Sequence, residues 1–83
     1  MYLVEWTLKS LKQLKRIAYN DQKTIVIAVR ELKPWPNCKN VKPLRNRQGY
    51  RLRIGRYRVI FDVQKVLKIV KIEEVKKRDE RTY

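Results

Sequence analysis

The chain of 83 residues carries 22 Lys and Arg against 8 Asp and Glu, which gives a formal net charge of +14, and it contains no histidine. This length is typical of one small domain with a single hydrophobic core, which we expect to span residues 1–83. One cysteine and no histidine cannot supply the four ligands of a structural zinc site, and Ser-His-Asp or Cys-His catalysis lacks its base. An enzyme built from this sequence has to work with Lys, Arg, Tyr and a few carboxylates, and we expect no metal and no cofactor.

Two further features of the sequence concern the cellular compartment of the protein. Cys38 stands alone, so no internal disulfide can form and nothing indicates an oxidising environment. No apolar run approaches the roughly 20 residues that span a bilayer, and no signal peptide precedes the first strand-like segment. We therefore expect a cytoplasmic protein without a membrane partner.

The first part of the chain predicts a strand followed by a helical hairpin. Residues 2–6 are aromatic and branched, as in a strand, and Thr7 is a suitable N-cap for a helix that begins at Leu8. Leucines recur at positions 8, 11 and 14 with basic residues between them, which indicates an amphipathic helix. Polar residues at 20–21 introduce a second helix. Its apolar stripe consists of Ile25, Ala28, Val29 and Leu32.

After the second helix the hydrophobic period changes. Pro34 ends the helix, and we expect a loop as far as Asn40. Residues 50–54 and 57–63 alternate apolar and polar positions around a short turn, which is typical of a β-hairpin.

A third strand is predicted over residues 66–75, and it is central because it is apolar on both faces. The order of strand, two helices and three strands indicates an α+β fold. We expect an N-terminal strand and a two-helix hairpin, then a three-stranded antiparallel meander. The helices pack on one face of this small, mainly antiparallel sheet.

The basic residues are concentrated in one segment. No acidic residue occurs between positions 32 and 61. The cations of this segment are Lys33, Lys39, Lys42, Arg45, Arg47, Arg51, Arg53, Arg56 and Arg58. Charges of one sign repel each other, so their density indicates a polyanionic partner, usually nucleic acid. A solubilising surface is the alternative.

Strand alternation places guanidinium groups on one face of the predicted sheet. Arg51 and Arg53 project from the same face of one strand, and we expect Arg56 and Arg58 to extend that face on the next. Like charges on adjacent strands are destabilising, so four together favour a bound anion over a merely solvated surface. The composition also permits RNA cleavage by attack of a 2′-OH on its own phosphate, which needs neither metal nor histidine.

The sequence resembles the RelE branch of the RelE/ParE toxin superfamily over nearly its whole length. The matching features are Val4-Glu5-Trp6, the run YRLRIGRYRVIF at residues 50–61, Lys77-Arg78 and Tyr83. RelE-type toxins enter the ribosomal A site, cleave the mRNA there and are neutralised by an antitoxin that wraps them. The resemblance implies an mRNA interferase that blocks translation, with a cognate antitoxin and the ribosome carrying mRNA as its partners.

The resemblance also assigns roles to residues. The residues that it places in the chemistry are Arg51, Arg53, Arg58, Arg78 and Tyr83. The residues that we expect to bind RNA or the ribosome are Arg45, Arg47, Arg56, Lys76, Lys77 and Arg81. Arg51 and Arg53 stand where the best-known members have lysines, so the general base is not identified by the resemblance.

Two other functions are open on the sequence alone. ParE-like toxins have similar sheets and inhibit DNA gyrase without catalysis. A plain RNA-binding module would be harmless when overproduced and would have no antitoxin. For either kind of toxin, we expect an antitoxin whose acidic residues and amphipathic helix cover the basic face of the sheet.

Overall fold

The structure, a computed structural model, describes residues 1–77. Its elements in chain order are β1 (Leu3–Trp6), α1 (Leu8–Lys15), α2 (Tyr19–Arg30), β2 (Val41–Pro43), β3 (Tyr50–Ile54), β4 (Tyr57–Gln64) and β5 (Ile69–Lys77). The strands form one sheet in the order β1-β5-β4-β3-β2, in which β1 is parallel to β5 and the other pairs are antiparallel. The predicted α+β fold is confirmed. Neither helix of this described part is long and apolar enough to cross a membrane.

One strand of the sheet was not predicted. β2 has three residues and pairs with β3 at the edge of the sheet. Its last residue is Pro43, which an edge strand tolerates because its outward N–H groups need no partner in the ladder. A strand of this length has no readable alternation, so its extended form is decided by pairing with β3.

The third predicted strand is central, as expected, but it begins later than the apolar run. β5 lies between β1 and β4. Val66 and Leu67 are 96% and 65% exposed and lie in the turn before β5, where Lys68 has a φ of 57°. The expectation that the strand starts at residue 66 is therefore wrong, because hydrophobic periodicity cannot separate an apolar turn from an apolar strand.

α1 begins at the predicted cap but buries only part of the predicted leucine stripe. The Ser10 backbone N–H donates to Thr7 Oγ1 at 3.2 Å, and the Ser10 hydroxyl donates to the Thr7 carbonyl oxygen at 2.8 Å. Ser10 and Leu14 are buried, whereas Leu8 is 69% and Leu11 38% exposed. The serine can be buried because both of its hydrogen bonds are made within the first turn of the helix.

α2 starts slightly earlier than predicted. Its N-cap is Ala18, which makes no side-chain hydrogen bond, so Asp21 lies within the first turn. The Asp21 carboxylate accepts a hydrogen bond of 2.8 Å from the Tyr57 hydroxyl, which ties the helix to β4. This hydrogen bond, followed by partial burial, raises the pKa of Tyr57. Ile25 and Val29 are fully buried, which confirms the core-facing side of the predicted stripe.

The core lies between the helices and one face of the sheet. Its largest fully buried side chains include Phe61, Ile25, Leu32, Ile72, Val29, Val59 and Val70. Trp35, in the segment after α2, packs edge-on against Tyr50 and Phe61 with ring centroids 4.7 and 5.5 Å apart. The tryptophan therefore covers one end of the core and fixes the path of the loop that leads to β2.

A β-bulge in β5 determines which of its side chains face away from the core. Phe61 of β4 pairs with Ile72, but the neighbouring Ile60 pairs with Glu74. Glu73 is therefore an extra residue without a partner in the β4–β5 ladder. Simple alternation from Ile72 would turn Glu74 towards the core, and the bulge turns it to the opposite face.

The same bulge turns Val75 inwards. Val75 is only 5% exposed. Its backbone N–H lies beyond the end of β1 and donates to Gln13 Oε1 of α1 at 2.7 Å. The helix thus replaces the missing neighbour strand at this point, which fixes α1 against the second half of β5.

Candidate nucleic-acid interface

The face of the sheet that points away from the core, which we call the outer face, carries most of the predicted site. Side chains two residues apart on a strand share a face, so the register of the strands decides which of them meet. Two rows cross β3, β4 and β5 near the turn between β3 and β4. The first, which we call the basic row, consists of Arg53, Arg58 and Lys76, and the second consists of Arg51, Ile60 and Glu74.

Arg58 occupies the centre of the basic row. It lies opposite Arg53 on one side and Lys76 on the other. Like charges in opposite positions destabilise a sheet, so this row weakens the fold that carries it. The Nε atom of Arg58 is buried and has no hydrogen-bond partner within the described residues. A buried donor without a partner costs free energy, and a bound anion would satisfy it.

Glu74 is surrounded by cations from three parts of the chain, and we call these four residues the carboxylate cluster. Glu74 Oε1 lies 3.2 Å from Lys76 Nζ and 3.7 Å from Lys9 Nζ of α1. The Arg47 Nη2 donates to Glu74 Oε2 at 3.3 Å. The Glu74 side chain is 13% exposed, whereas the three cations are between 49% and 65% exposed. The carboxylate is therefore the covered centre of the cluster.

The surroundings of Glu74 act on its pKa in opposite directions. Partial burial, the largest influence, raises the pKa of Glu74. Hydrogen bonds from Lys76 and Arg47, together with the charges of Lys76 and Lys9, outweigh burial and lower the pKa below its usual value. Glu74 is thus ionised at neutral pH, and three cations around one carboxylate leave the cluster net positive.

Two predicted binding residues lie apart from the outer face. The expectation that Arg56 shares the face of Arg58 is wrong, because Arg56 lies in the two-residue turn and lines a depression beside α2. Turn residues do not follow the alternation of the strands that they connect. Lys77 stands opposite Tyr57 at the end of β5, and alternation therefore turns it to the core side of the sheet.

The loop between β2 and β3 contributes two more of the predicted residues. Arg45 is exposed to solvent. Arg47 is also exposed, but Glu74 holds its guanidinium group over the outer face. The predictions for Arg78, Arg81 and Tyr83 lie outside the described residues.

Sequence reasoning missed three residues that belong to the outer face or reach it. Lys42 extends the second row, since it pairs with Arg51. Lys9 is one of several basic residues of α1, and nothing in the helical pattern distinguishes it. Glu74 was missed because its face depends on the bulge, although the doublet of Glu73 and Glu74 within an apolar strand was a visible sign.

Comparison with known proteins gives matches in structure. No protein-family model matches the sequence, and no curated protein matches it significantly. The structure is similar to the RelBE2 toxin–antitoxin complex from Mycobacterium tuberculosis, with 25% identity, a TM-score of 0.82 and coverage of 93% of this chain and 98% of that one. It is also similar to an archaeal RelE–RelB complex from Pyrococcus horikoshii, with 28% identity, a TM-score of 0.79 and coverage of 95% of this chain and 97% of that one. The isolated RelE toxin of E. coli has 16% identity and a TM-score of 0.83, with coverage of 99% of this chain and 89% of that one.

These structural matches agree with the topology of the sheet. β1, α1 and α2 are followed by the antiparallel meander of β2 to β5, and β1 lies beside β5. This is the fold of RelE toxins and RelE–RelB complexes. Within the RelE/ParE superfamily, the chain resembles the RelE branch, and the resemblance drawn from the sequence is confirmed.

Proposed function

We propose that the protein is the toxin of a type II toxin–antitoxin system and a ribosome-dependent endoribonuclease that cleaves mRNA in the A site. The observation that carries the proposal is the basic row, in which the buried Nε of Arg58 has no partner within residues 1–77. Guanidinium groups bind phosphate oxygens in pairs, so such a row fits a phosphodiester. The likeness to solved RelE structures supports the same function.

In the proposed reaction, the 2′-OH of one nucleotide attacks the adjacent phosphate and leaves a 2′,3′-cyclic phosphate and a free 5′-OH. Negative charge then grows on the oxygens of the pentacoordinate phosphorus. Arg58, between Arg53 and Lys76, stabilises that charge, and Arg51 extends the cationic surface along the second row. A guanidinium group stays protonated, so these arginines act by electrostatics and not by proton transfer. The reaction as proposed takes no metal and no cofactor.

The C-terminal residues enter the proposal through the resemblance. Arg78 would stabilise charge or assist the leaving oxygen, and Tyr83 would stack on a base and orient the nucleotide. Stacking of an aromatic side chain on a base contributes about 1–3 kcal/mol to binding. Arg45, Arg47 and Arg81 would hold the backbone of the RNA or of the ribosome.

We propose that a cognate antitoxin covers the outer face of the sheet in the cytoplasm. The solved RelE–RelB structures are complexes of that kind for their own chains. Here Leu3 of β1 and Leu8 and Leu11 of α1 are exposed although they are large and apolar. Exposed apolar groups on a chain that also carries a cationic face fit a protein partner that offers both apolar and acidic side chains.

The proposal is tested by adding the purified protein to translating ribosomes and mapping the ends of the mRNA. We expect cleavage by the wild type and a rate lower by about 10²–10³-fold for Arg58→Ala, the loss typical of removing one donor to the transition state. Arg30→Ala, at the end of α2, removes the same charge far from the outer face and should stay active. Tyr83→Ala tests the tail in the same assay.

Omitting the ribosomes shows whether cleavage requires them. Full activity of Arg58→Ala would contradict the proposed site. Intact mRNA together with gyrase-dependent DNA breaks would contradict the proposed reaction and favour a ParE-like toxin instead.

A further inference from the structure

The proposed reaction needs an acceptor for the proton of the 2′-OH. The arginines of the basic row cannot supply it, because guanidinium groups stay protonated and have no free electron pair. Among residues 1–77, one carboxylate contacts this row through Lys76, which belongs both to the row and to the carboxylate cluster. We propose that Glu74 is the general base that accepts the 2′-OH proton. This inference rests on the proposed function.

The position of Glu74 fits this role. It stands opposite Ile60 and thus one row away from Arg58, on the same face. Ile60 separates it from Arg51 of β3 in the same row, Arg58 lies one row away on β4, and its ion pairs come from Lys9, Arg47 and Lys76. A 2′-OH and the phosphate that it attacks belong to one nucleotide linkage, so a base and a phosphate site in adjacent rows can serve both at once.

The ion pairs of Glu74 also connect proton transfer to RNA binding. Without RNA, both carboxylate oxygens are engaged: Oε1 by Lys76 and Lys9, and Oε2 by Arg47. A phosphate that binds the cluster competes for the same three cations, and these are exposed enough to turn towards it. As the cations move to the phosphate, a carboxylate oxygen is freed and its basicity rises. The base is thus restrained until the substrate is present.

Proton transfer to Glu74 accompanies attack on the phosphate. A Glu74 Oε takes the proton from the 2′-OH while the bond from O2′ to phosphorus forms. The bond from phosphorus to O5′ then breaks, and O5′ leaves with its electron pair and takes a proton from water. The hydroxide left by that water takes the proton from Glu74 and restores the carboxylate.

The experiment measures single-turnover mRNA cleavage by the full chain on saturating ribosomes, with Glu74→Ala as the variant. We expect a rate lower by about 10²–10⁴-fold, the usual contribution of a general base. Glu73→Ala removes the same charge from the bulge residue next to it, which makes no ion pair within the described residues, and should cleave close to the wild-type rate.

Chemical rescue separates a base from a positioning residue. Sodium acetate can enter the space left by Glu74→Ala and accept the proton, so it should raise the cleavage rate of this variant. Sodium chloride at the same ionic strength is the control, because RNA affinity itself depends on salt. A residue that only positioned the cations would give equal rates in the two salts.

Glu74→Gln keeps the shape of the side chain and covers the case in which the alanine variant does not fold. It should bind ribosomes but cleave slowly. Cleavage at the wild-type rate by either variant would overturn the assignment of Glu74 as the base but leave the proposed function standing. Slow cleavage by Glu74→Ala that acetate does not accelerate would do the same. An inactive wild type would overturn the proposed function, and this inference with it.

Discussion

The two faces of β3, β4 and β5 differ in what their side chains do for the molecule. On the core face, Leu52, Val59 and Val75 stand opposite one another and are at most 5% exposed. One position nearer the turn between β3 and β4, the outer face presents the three cations of the basic row in the same register. Two neighbouring residues of one strand thus have opposite effects. One packs in the buried apolar row and stabilises the sheet, and the other lies in the basic row, where like charges repel each other.

So small a chain thus combines a stabilising core face with a strongly cationic outer face. Burial contributes roughly 25 cal/mol per Å² of apolar area on the core face. A row of like charges on adjacent strands subtracts from that sum. Substitutions on the core face should therefore act mainly on the free energy of unfolding, and substitutions on the outer face mainly on RNA cleavage.

The largest effect is expected on the core face. Phe61→Ala removes a fully buried ring that contacts Trp35 and Tyr50, and it should lower the free energy of unfolding by about 3–5 kcal/mol. Urea denaturation followed by circular dichroism measures this loss. Phe61→Leu keeps much of the apolar volume and should cost clearly less. A loss for Phe61→Ala no greater than that for an outer-face variant would contradict the assignment of stability to the core face.

A smaller effect of opposite sign is expected in the basic row. Arg53→Gln removes one of two like charges in opposite positions and should raise the free energy of unfolding by about 0.2–1 kcal/mol while slowing RNA cleavage. Arg45→Gln, in the loop, removes the same charge without a facing strand residue and is the matched control. Equal stabilisation by both variants would assign the effect to net charge and not to the row.

The smallest effect is expected in the pH dependence of stability, through the carboxylate of Glu74. The folded state lowers the pKa of Glu74, so the ionised carboxylate stabilises the fold above the unfolded pKa of about 4.5, and this contribution is lost as the pH falls through the lower folded value. The difference in free energy of unfolding between the wild type and Glu74→Gln should therefore shrink on acidification, by about 1 kcal/mol or less. Denaturation at a series of pH values measures it. A difference independent of pH would show that the three cations do not act on Glu74.

Much of the fold could be predicted because its signs are local. The start of α1 at Thr7 follows from a capping side chain, and the hairpin of β3 and β4 follows from alternation. β2 could not be predicted, since three extended residues gain their form from the partner strand. The exposure of Leu8 was also hidden, because the pattern of α1 does not show which side meets β5.

The residues of the candidate site could be predicted only where side chains alternate regularly between the two faces of a strand. Arg51, Arg53 and Arg58 share the outer face, as the pattern indicates. Arg56 departs from it because a turn resets the direction of the side chain. Glu74 joins it because a bulge does the same within a strand, where the buried apolar positions shift from 70 and 72 to 75.

The excess of positive charge, the alternation of the strands and the lack of any imidazole are properties of the sequence alone. Any catalysis by this chain therefore has to depend on lysine, arginine, tyrosine and carboxylate groups. Only the tertiary structure decided which carboxylate lies among the cations. Glu74 meets Arg47 and Lys9 because a loop and a helix, 27 and 65 positions away, fold onto β5. Contacts at such separations depend on register and packing, which local pattern does not encode.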